Sequence, residues 1–362
     1  MSGTSLDGVD GVLVDFSGTH PRVLAHRAMP FAPALKQELL ALNTPSDNEL
    51  HRAALAANGL VRVYAQTVQA LLAETQTSAN DVAAIGAHGQ TVRHQPGAFD
   101  GTGYTLQLNN PALLAELTGV DVVADFRSRD VAASGQGAPL VPVFHQGIFG
   151  QTQGTTGVLN IGGIANLSVL HANGDVLGFD CGPGNALLDH WCQAHTGYAF
   201  DNDGAWGASG TVMEPLLQAM LTEPYLHQAP PKSTGRDLFH PTWLAHQLSG
   251  FANANPADVQ ATLTEFTARA CVNDVLRHAA DATELVVCGG GALNGALMQR
   301  LQANLPATCQ VVSSEARGMP PLHVEAAAFA WLAHQTMHSL TGNLPKVTGA
   351  QGARILGGIF KA

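Results

Sequence analysis

The chain has 362 residues, a length that at roughly 100–200 residues per domain rules out a single small core and predicts two domains or one large one. It is 46% hydrophobic and only 12% charged, and 17 Lys+Arg against 28 Asp+Glu leave a net charge of −11. With no Lys/Arg run longer than two residues, it lacks the electrostatic footprint of phosphate-backbone binding, which disfavours nucleic acid and membrane surfaces as partners.

Val9 to Phe16 is β-branched and apolar, Ser17-Gly18-Thr19-His20-Pro21 is a turn cluster, and Arg22 to Met29 is extended again. That order predicts a β-hairpin. Helical spacing follows from Pro33 to Thr75, then strand character from Val82 to His88 and from Tyr104 to Leu108. Asn110 followed by Pro111 is an N-cap with proline at the first helical position, and Val120 to Ala124 is a further strand. Around Gln151 to Thr156 the composition turns polar, which puts a boundary there. The pattern then restarts with extended runs at Gly157–Ile161, Ile164–Leu170 and Val176–Asp180. A helix over Asp258–His278 with apolar Val259, Leu263, Phe266 and Ala270, a strand Leu285–Cys288, a helix opening near Leu293 and a helix over His323–His338 complete the reading. The class is α/β, with two halves that each open on a small glycine- or hydroxyl-rich loop feeding a hairpin.

There is no apolar run of about 18 residues and no signal-like N-terminus. Five cysteines without a C-x-x-C pair predict reduced, buried thiols in a cytoplasmic protein. Sixteen histidines fall in no metal-binding motif; His334 and His338, four apart, read as surface or capping residues.

Thirty-nine glycines, about 11% against a typical ~7%, are an excess. Many collect in four loops at expected strand ends: Gly3 to Gly8, Asn160 to Asn166, Asp180 to Asn185 and Cys288 to Asn294. Glycine lets backbone N–H groups approach an anion, so four such loops suggest a large anionic ligand. A lone loop is also an ordinary turn, and Gly289 to Asn294 after a strand fits a weak dinucleotide pattern, with Glu315 at the distance of a ribose-binding acid. Asp180, followed by Gly-Pro-Gly-Asn, is a candidate acid/base carboxylate or a turn aspartate. Arg127 and Arg129 suit an anion clamp or a solvated charge cluster. Glu325 at a helix start serves a substrate or the helix dipole, and His88 among small residues is a site or a core histidine.

The set GTSLDGVD (3–10), GAHGQTVRH (86–94), ADFRSRD (124–130), GQGAPLVP (135–142), NIGGIANLS (160–168), GFDCGPGN (178–185), PKSTGRDLF (231–239), ATLTEFTA (261–268) and CGGGALNG (288–295) closely resembles the anhydro-N-acetylmuramic acid kinase family. The resemblance implies two ribonuclease-H-like α/β lobes of the sugar kinase/actin/chaperone-ATPase superfamily, with ATP in an inter-lobe cleft. Residues 1–152 would form the first lobe and 153–362 the second, its last helix packing on the first. By the same resemblance Gly3, Thr4, Ser5, Leu6, Asp7, Gly8, Val9 and Asp10 form the first phosphate loop. Asn160, Gly162 and Gly163 form the second, and Gly289, Gly290, Gly291 and Asn294 the adenosine-side loop. Asp180 matches the catalytic aspartate, and His88, Arg127, Arg129 and Glu325 fall in or near the sugar-site motifs.

The chemistry so implied is hydrolytic opening of a 1,6-anhydro sugar coupled to phosphorylation of its 6-oxygen by ATP. The product, N-acetylmuramic acid 6-phosphate, belongs to cell-wall recycling. Magnesium would be held through phosphates, water and Asp7, and a homodimer is a family expectation. Members of the family carry several residues before the methionine of MSGTSLDG, as the first strand of the first hairpin. Here the sequence starts at that methionine, so the first loop is expected to be anchored on one side only and to bind ATP weakly. An ordinary hexosamine or sugar kinase on the same scaffold and an NAD-dependent oxidoreductase using the Gly289–Asn294 loop are the competing readings.

Overall fold

The first hairpin forms where the alternating apolar run predicts it: β1 (Gly8–Asp15) pairs antiparallel with β2 (Arg22–Pro30), and the Asp15 carboxylate accepts the Ser17 N–H at 2.9 Å to set the turn. The computed structural model describes residues 1–3, 6, 8–18, 20–235 and 238–362. The helical run that follows is broken at Thr44-Pro45-Ser46 into Pro33–Ala41 and Glu49–Thr75, because proline offers no N–H to continue a helix. Helix Glu49–Thr75 buries Ala56, Leu60, Val61, Tyr64, Ala65 and Leu71. Leu60, Val61, Tyr64 and Ala65 join Leu6, Val9 and Phe31 in one apolar cluster.

Two compact units emerge, Met1–Phe144 with His323–Ala362, and His145–Leu322. The division therefore falls before the polar stretch at 151–156, and the last forty residues return to the first unit. Beside the hairpin, that unit contains β3 (Ile85–Ala87), β4 (Gln90–Pro96), β5 (Gly103–Leu108) and β6 (Val122–Ala124). β3 runs parallel to β6, and β4 is antiparallel to β5. Asn110 caps helix Pro111–Thr118 as its sequence predicts, its side chain accepting the Leu113 N–H at 3.1 Å. β4 was not anticipated, since Val92 is its one strongly apolar residue.

In the second unit β7 (Thr155–Ile161), β8 (Ile164–His171) and β9 (Val176–Pro183) form an antiparallel meander. β10 (Ala282–Cys288) and β11 (Gln310–Ser313) add on in parallel, giving the order β11-β10-β7-β8-β9. This is the ribonuclease-H-like arrangement. Helix Pro256–His278, capped by Asn255 with Pro256 at its start, buries all four apolar residues expected of it. Its Val259, Leu263, Phe266 and Ala270 meet a helical cluster around Leu216, Leu217 and Leu244, and its Cys271, Val272 and Val275 meet the sheet.

The last strand, β12 (Gly358–Phe360), pairs antiparallel with β6 in the first unit. There the sheet is interrupted. Among the described residues β1 has a strand partner on the β2 side only, and a cavity of about 650 Å³ separates β1 from β3, walled also by Tyr64, Thr67, Ala330 and Ala333. In the second unit the corresponding place, between hairpin β8–β9 and β10, is filled by β7. Met1 stands at the rim and exchanges both main-chain hydrogen bonds with Asp10, each 2.8 Å, in the manner of an antiparallel rung.

β3 is held against helix Val324–Met337 by close backbone approach. A Cβ on Gly86 would lie 2.2 Å from the Phe329 carbonyl oxygen. Gly86→Ala is expected to lose roughly 1–3 kcal/mol of stability, read as a lower urea midpoint at unchanged slope.

Candidate active site

Strand register builds the polar side of the second unit. Asn160 on β7 faces Asn166 on β8, and Asn166 faces Asp180 on β9, so the three side chains share one face of the sheet. Their neighbours Leu159, Leu167 and Phe179 are buried on the opposite face. Between Asn166 and Ala165 the partner on β9 changes from Asp180 to Gly182, which leaves Cys181 as an extra residue, a bulge just beyond the aspartate.

Asp180 is half-buried, and its carboxylate is held from one side. Its Oδ2 accepts the Ser233 hydroxyl at 2.8 Å and the Thr234 N–H at 3.1 Å, while the Tyr225 hydroxyl donates to its carbonyl at 2.8 Å. Burial pushes its pKa above the ordinary carboxylate value, against these two hydrogen bonds and the Lys232 charge, which pull it down. A carboxylate whose pKa is raised, at a strand end, is suited to take a proton from water. The turn-aspartate alternative fails on geometry, since Asp180 binds a loop more than fifty residues away and not its own turn.

The two later glycine loops come together through the parallel pairing of β7 with β10, in which Cys288 faces Asn160. Both loops thus leave the carboxyl ends of adjacent parallel strands, where α/β sheets bind ligands. Gly289 has φ +76°, and a Cβ there would meet Asn160 Oδ1 at 2.4 Å; one on Gly291 would meet the Ile161 side chain at 2.5 Å. Glycine is required for the two loops to nest. Gly162 and Gly163 give their carbonyls to the Gly184, Asn185 and Ala186 N–H groups at the start of helix Asn185–Thr196. Gly290 lies in the single turn after β10, and Asn294 caps helix Gly295–Asn304 through the Leu297 N–H at 2.9 Å. The dinucleotide reading of this loop meets a sheet whose β7, β8 and β9 are antiparallel, without the repeated parallel units such a site uses.

In the first unit the sugar-motif residues partly converge. Arg127 directs Nε and Nη2 to His88 Nε2 at 3.1 and 3.0 Å and Nη1 to the Gly137 carbonyl at 2.7 Å. With His88 Nδ1 2.7 Å from the Gly89 carbonyl, the imidazole is neutral, protonated at Nδ1 and accepting at Nε2. Burial and the Arg127 charge hold its pKa well below 6.5. Arg127 itself is pushed down to about 10 by burial, with Glu325 and Asp130 pulling it up, so it remains charged at neutral pH. Glu325 is exposed, yet the protein around it raises its pKa by desolvation against the pull of Arg127. Arg129 is exposed. Asp130 is fully buried and accepts from Gly137, Asn343 and Thr348, a staple between this loop and the C-terminal segment.

Of the first loop, Thr4, Ser5 and Asp7 lie outside the described residues. Gly3 accepts Gln90 Nε2 at 3.1 Å and closes a turn with Leu6, which has φ 57°. Gly8 packs on Met29, Val9 belongs to the core, and Asp10 pairs with His26 at 3.2 Å. All five cysteines are buried. Among the described residues no three His, Cys, Asp or Glu gather as metal ligands, and no helix is long and apolar enough to cross a membrane. The residues overlooked in the sequence are those around Asp180: Tyr225, Lys232, Ser233, Thr234 and Asp274. The motif PKSTGRDLF contained three of them, but nothing in its spacing ties it to a strand end fifty residues earlier.

The sequence profile of the anhydro-N-acetylmuramic acid kinase family matches residues 1–362. The chain is 63% identical to the anhydro-N-acetylmuramic acid kinase of Albidiferax ferrireducens, spanning 100% of this chain and 98% of that protein. It is 62% identical to that of Variovorax paradoxus over 100% and 98%, and 53% identical to that of Chromobacterium violaceum over 99% and 97%. Among solved structures, a ROK family glucokinase from Streptomyces griseus in complex with glucose and AMPPNP is similar at 12% identity and a TM-score of 0.38, covering 90% of this chain and 100% of that one. By its full-length match and its identity to these relatives, the chain belongs to the anhydro-N-acetylmuramic acid kinase family.

Proposed function

We propose that the protein uses ATP to open the 1,6-anhydro ring of 1,6-anhydro-N-acetylmuramic acid and to phosphorylate its 6-oxygen. The observation that carries this reading is Asp180: a half-buried carboxylate with raised pKa, held at one oxygen, on the same sheet face as Asn160 and Asn166 and one strand-end away from two glycine loops. An anhydro sugar has no free 6-hydroxyl, because that oxygen is bonded to the anomeric carbon. A kinase for it needs a base for water as well as a phosphate site.

In the proposed reaction Asp180 takes a proton from water as the water oxygen bonds to the anomeric carbon. The bond from that carbon to the 6-oxygen breaks, and the 6-oxygen takes the γ-phosphoryl group while ADP leaves. Loops 160–163 and 289–294 are the proposed nucleotide-binding segments of the second unit, and residues 3–10 the proposed phosphate-binding segment of the first. Arg127, oriented by His88, and Glu325 face the sugar; Arg129 joins them only if its side chain turns inward. Asp7 is the residue proposed to contact magnesium, which would come with ATP and offset the phosphate charge. The product is N-acetylmuramic acid 6-phosphate. The proposed setting is a cytoplasm, where five buried cysteines stay reduced, and the proposed assembly a homodimer.

Turnover in oxygen-18 water, stopped at early times, is expected to give a sugar 6-phosphate with one label at the anomeric hydroxyl and none in the phosphoryl group. Label-free product, or turnover of free hexosamines in preference, would instead indicate an ordinary sugar kinase. Asp180→Asn is expected to lower kcat on the order of 10²–10⁴-fold. Its melting temperature at pH 7 should hold or rise: a carboxylate whose folded pKa is raised costs stability above that pKa, and an amide oxygen still accepts from Ser233 and Thr234. Arg127→Lys, which keeps the charge and loses the planar fork on His88, is expected to raise KM for the sugar roughly 10–100-fold with KM for ATP little changed.

A further inference from the structure

The 228–235 segment contains no helix or strand, yet three of its consecutive residues contact Asp180. The Lys232 carbonyl accepts the Asp180 N–H at 3.3 Å, and Ser233 and Thr234 bind the carboxylate. What fixes the segment is the Lys232 side chain, which runs inward. Its ammonium lies 2.9 Å from Asp274 Oδ2, both side chains being 1% exposed, and sits 5.2 and 5.4 Å from the ring centres of Tyr225 and Phe179. Asp274 is carried by helix Pro256–His278, a rigid element of the core.

Two charges so deeply buried are expensive, and an apolar pair of similar volume would commonly serve stability as well. We propose that Lys232, paired with Asp274, is a positioning residue for Asp180: it pins the segment so that Ser233 and Thr234 hold Oδ2 and leave Oδ1 to receive the proton from water. Among the described residues the carboxylate hydrogen bonds all fall on Oδ2. The inference rests on the reading of Asp180 as the base.

The pair also sets the charge around that base. The Lys232 charge favours the ionised carboxylate, whereas the Tyr225 phenol, raised by burial and by Asp180, stays protonated as a donor. Behind them stand Asp274, with Arg277 at 3.6 Å, His278, lowered by burial, and the Cys181 thiol, raised well above its usual value and therefore neutral, beside Cys271. Taking away Lys232 with Asp274, or the Ser233 hydroxyl, removes stabilisation of the charged form. The pKa of the base then moves up, and the acid limb of the rate profile with it.

The test is the pH dependence of kcat in the full chain with Mg-ATP and 1,6-anhydro-N-acetylmuramic acid. The paired variant Lys232→Met with Asp274→Leu, and separately Ser233→Ala, should each shift the acid limb upward by about half a pH unit or more. KM for both substrates should stay within about twofold, and Ser233→Thr, which restores the hydroxyl, should return the limb toward its original position. A merely structural ion pair would lower the melting temperature of the paired variant and leave the limb in place, which would overturn the proposal. If the paired variant does not fold, an unshifted limb in Ser233→Ala overturns it equally. Retained turnover in Asp180→Asn would identify the other failure, that of the base assignment itself.

Discussion

The parallel pairing of β7 with β10, which sets Asn160 opposite Cys288, determines where each loop of the second unit can reach. Both strands end at the same level, so Gly162-Gly163 and Gly289-Gly290-Gly291 are neighbours before any ligand is considered. The close contact with Asn160 and Ile161 then dictates glycine at 289 and 291. From Asn160 the antiparallel rungs carry the same level across β8 to Asp180 on β9. The distance from Asp180 to the two glycine loops is thereby fixed by backbone hydrogen bonds and not by loop packing. A slip of one residue in β9 would turn Asp180 into the core and Phe179 out of it, a cost that holds the register in place.

A chain with only 12% charged residues places several of those charges inside. Asp130, Lys232 and Asp274 are buried, and Arg127 is half-buried. Each has partners that match its geometry: three donors converge on Asp130, the Arg127 fork meets His88 and Gly137, and Lys232 meets Asp274 under two aromatic rings. Such pairs add little net stability compared with apolar packing, and their value lies in fixing one arrangement. In this chain the arrangements they fix are the 127–137 loop and the 231–234 segment, both of which meet candidate site residues.

The elements most legible in the sequence are those in which local chemistry and tertiary packing agree. Asn110-Pro111 caps its helix as read, and Val259, Leu263, Phe266 and Ala270 are all buried. The hairpin openings of both units were legible for the same reason, that β-branched runs ended at glycine turns. β4 was not, because a two-stranded hairpin open to solvent on one face needs few apolar residues. The polar stretch at 151–156 suggested a boundary, yet the units divide within helix Val141–Phe149, where a continuous helix gives no compositional sign. In the site, Asp180 stood out through its glycine-rich sequel, whereas its supports could not, since Ser233 and Thr234 meet it only through folding. Arg127 and Arg129 looked equivalent in sequence; helical turning sends one to His88 and the other outward.

The net charge of −11 bears on how such a site takes anions. Charges spread over the surface act weakly beyond a Debye length of about 8 Å at physiological ionic strength, so they slow the approach of an anion more than they oppose its binding. What holds a phosphate or a carboxylate must act at contact distance. Backbone N–H groups in glycine loops are able to do this without a surface field, and the Arg127 guanidinium, whose pKa of about 10 stays well above neutral, keeps the charge that such a contact needs. His88 is what makes that possible at low cost: by accepting two of the guanidinium N–H groups while remaining neutral, it solvates the cation without cancelling it. A carboxylate in the same place would pair with Arg127 and leave less of its charge for a substrate. The neutral imidazole therefore accounts for a half-buried arginine that keeps its charge in an acidic protein.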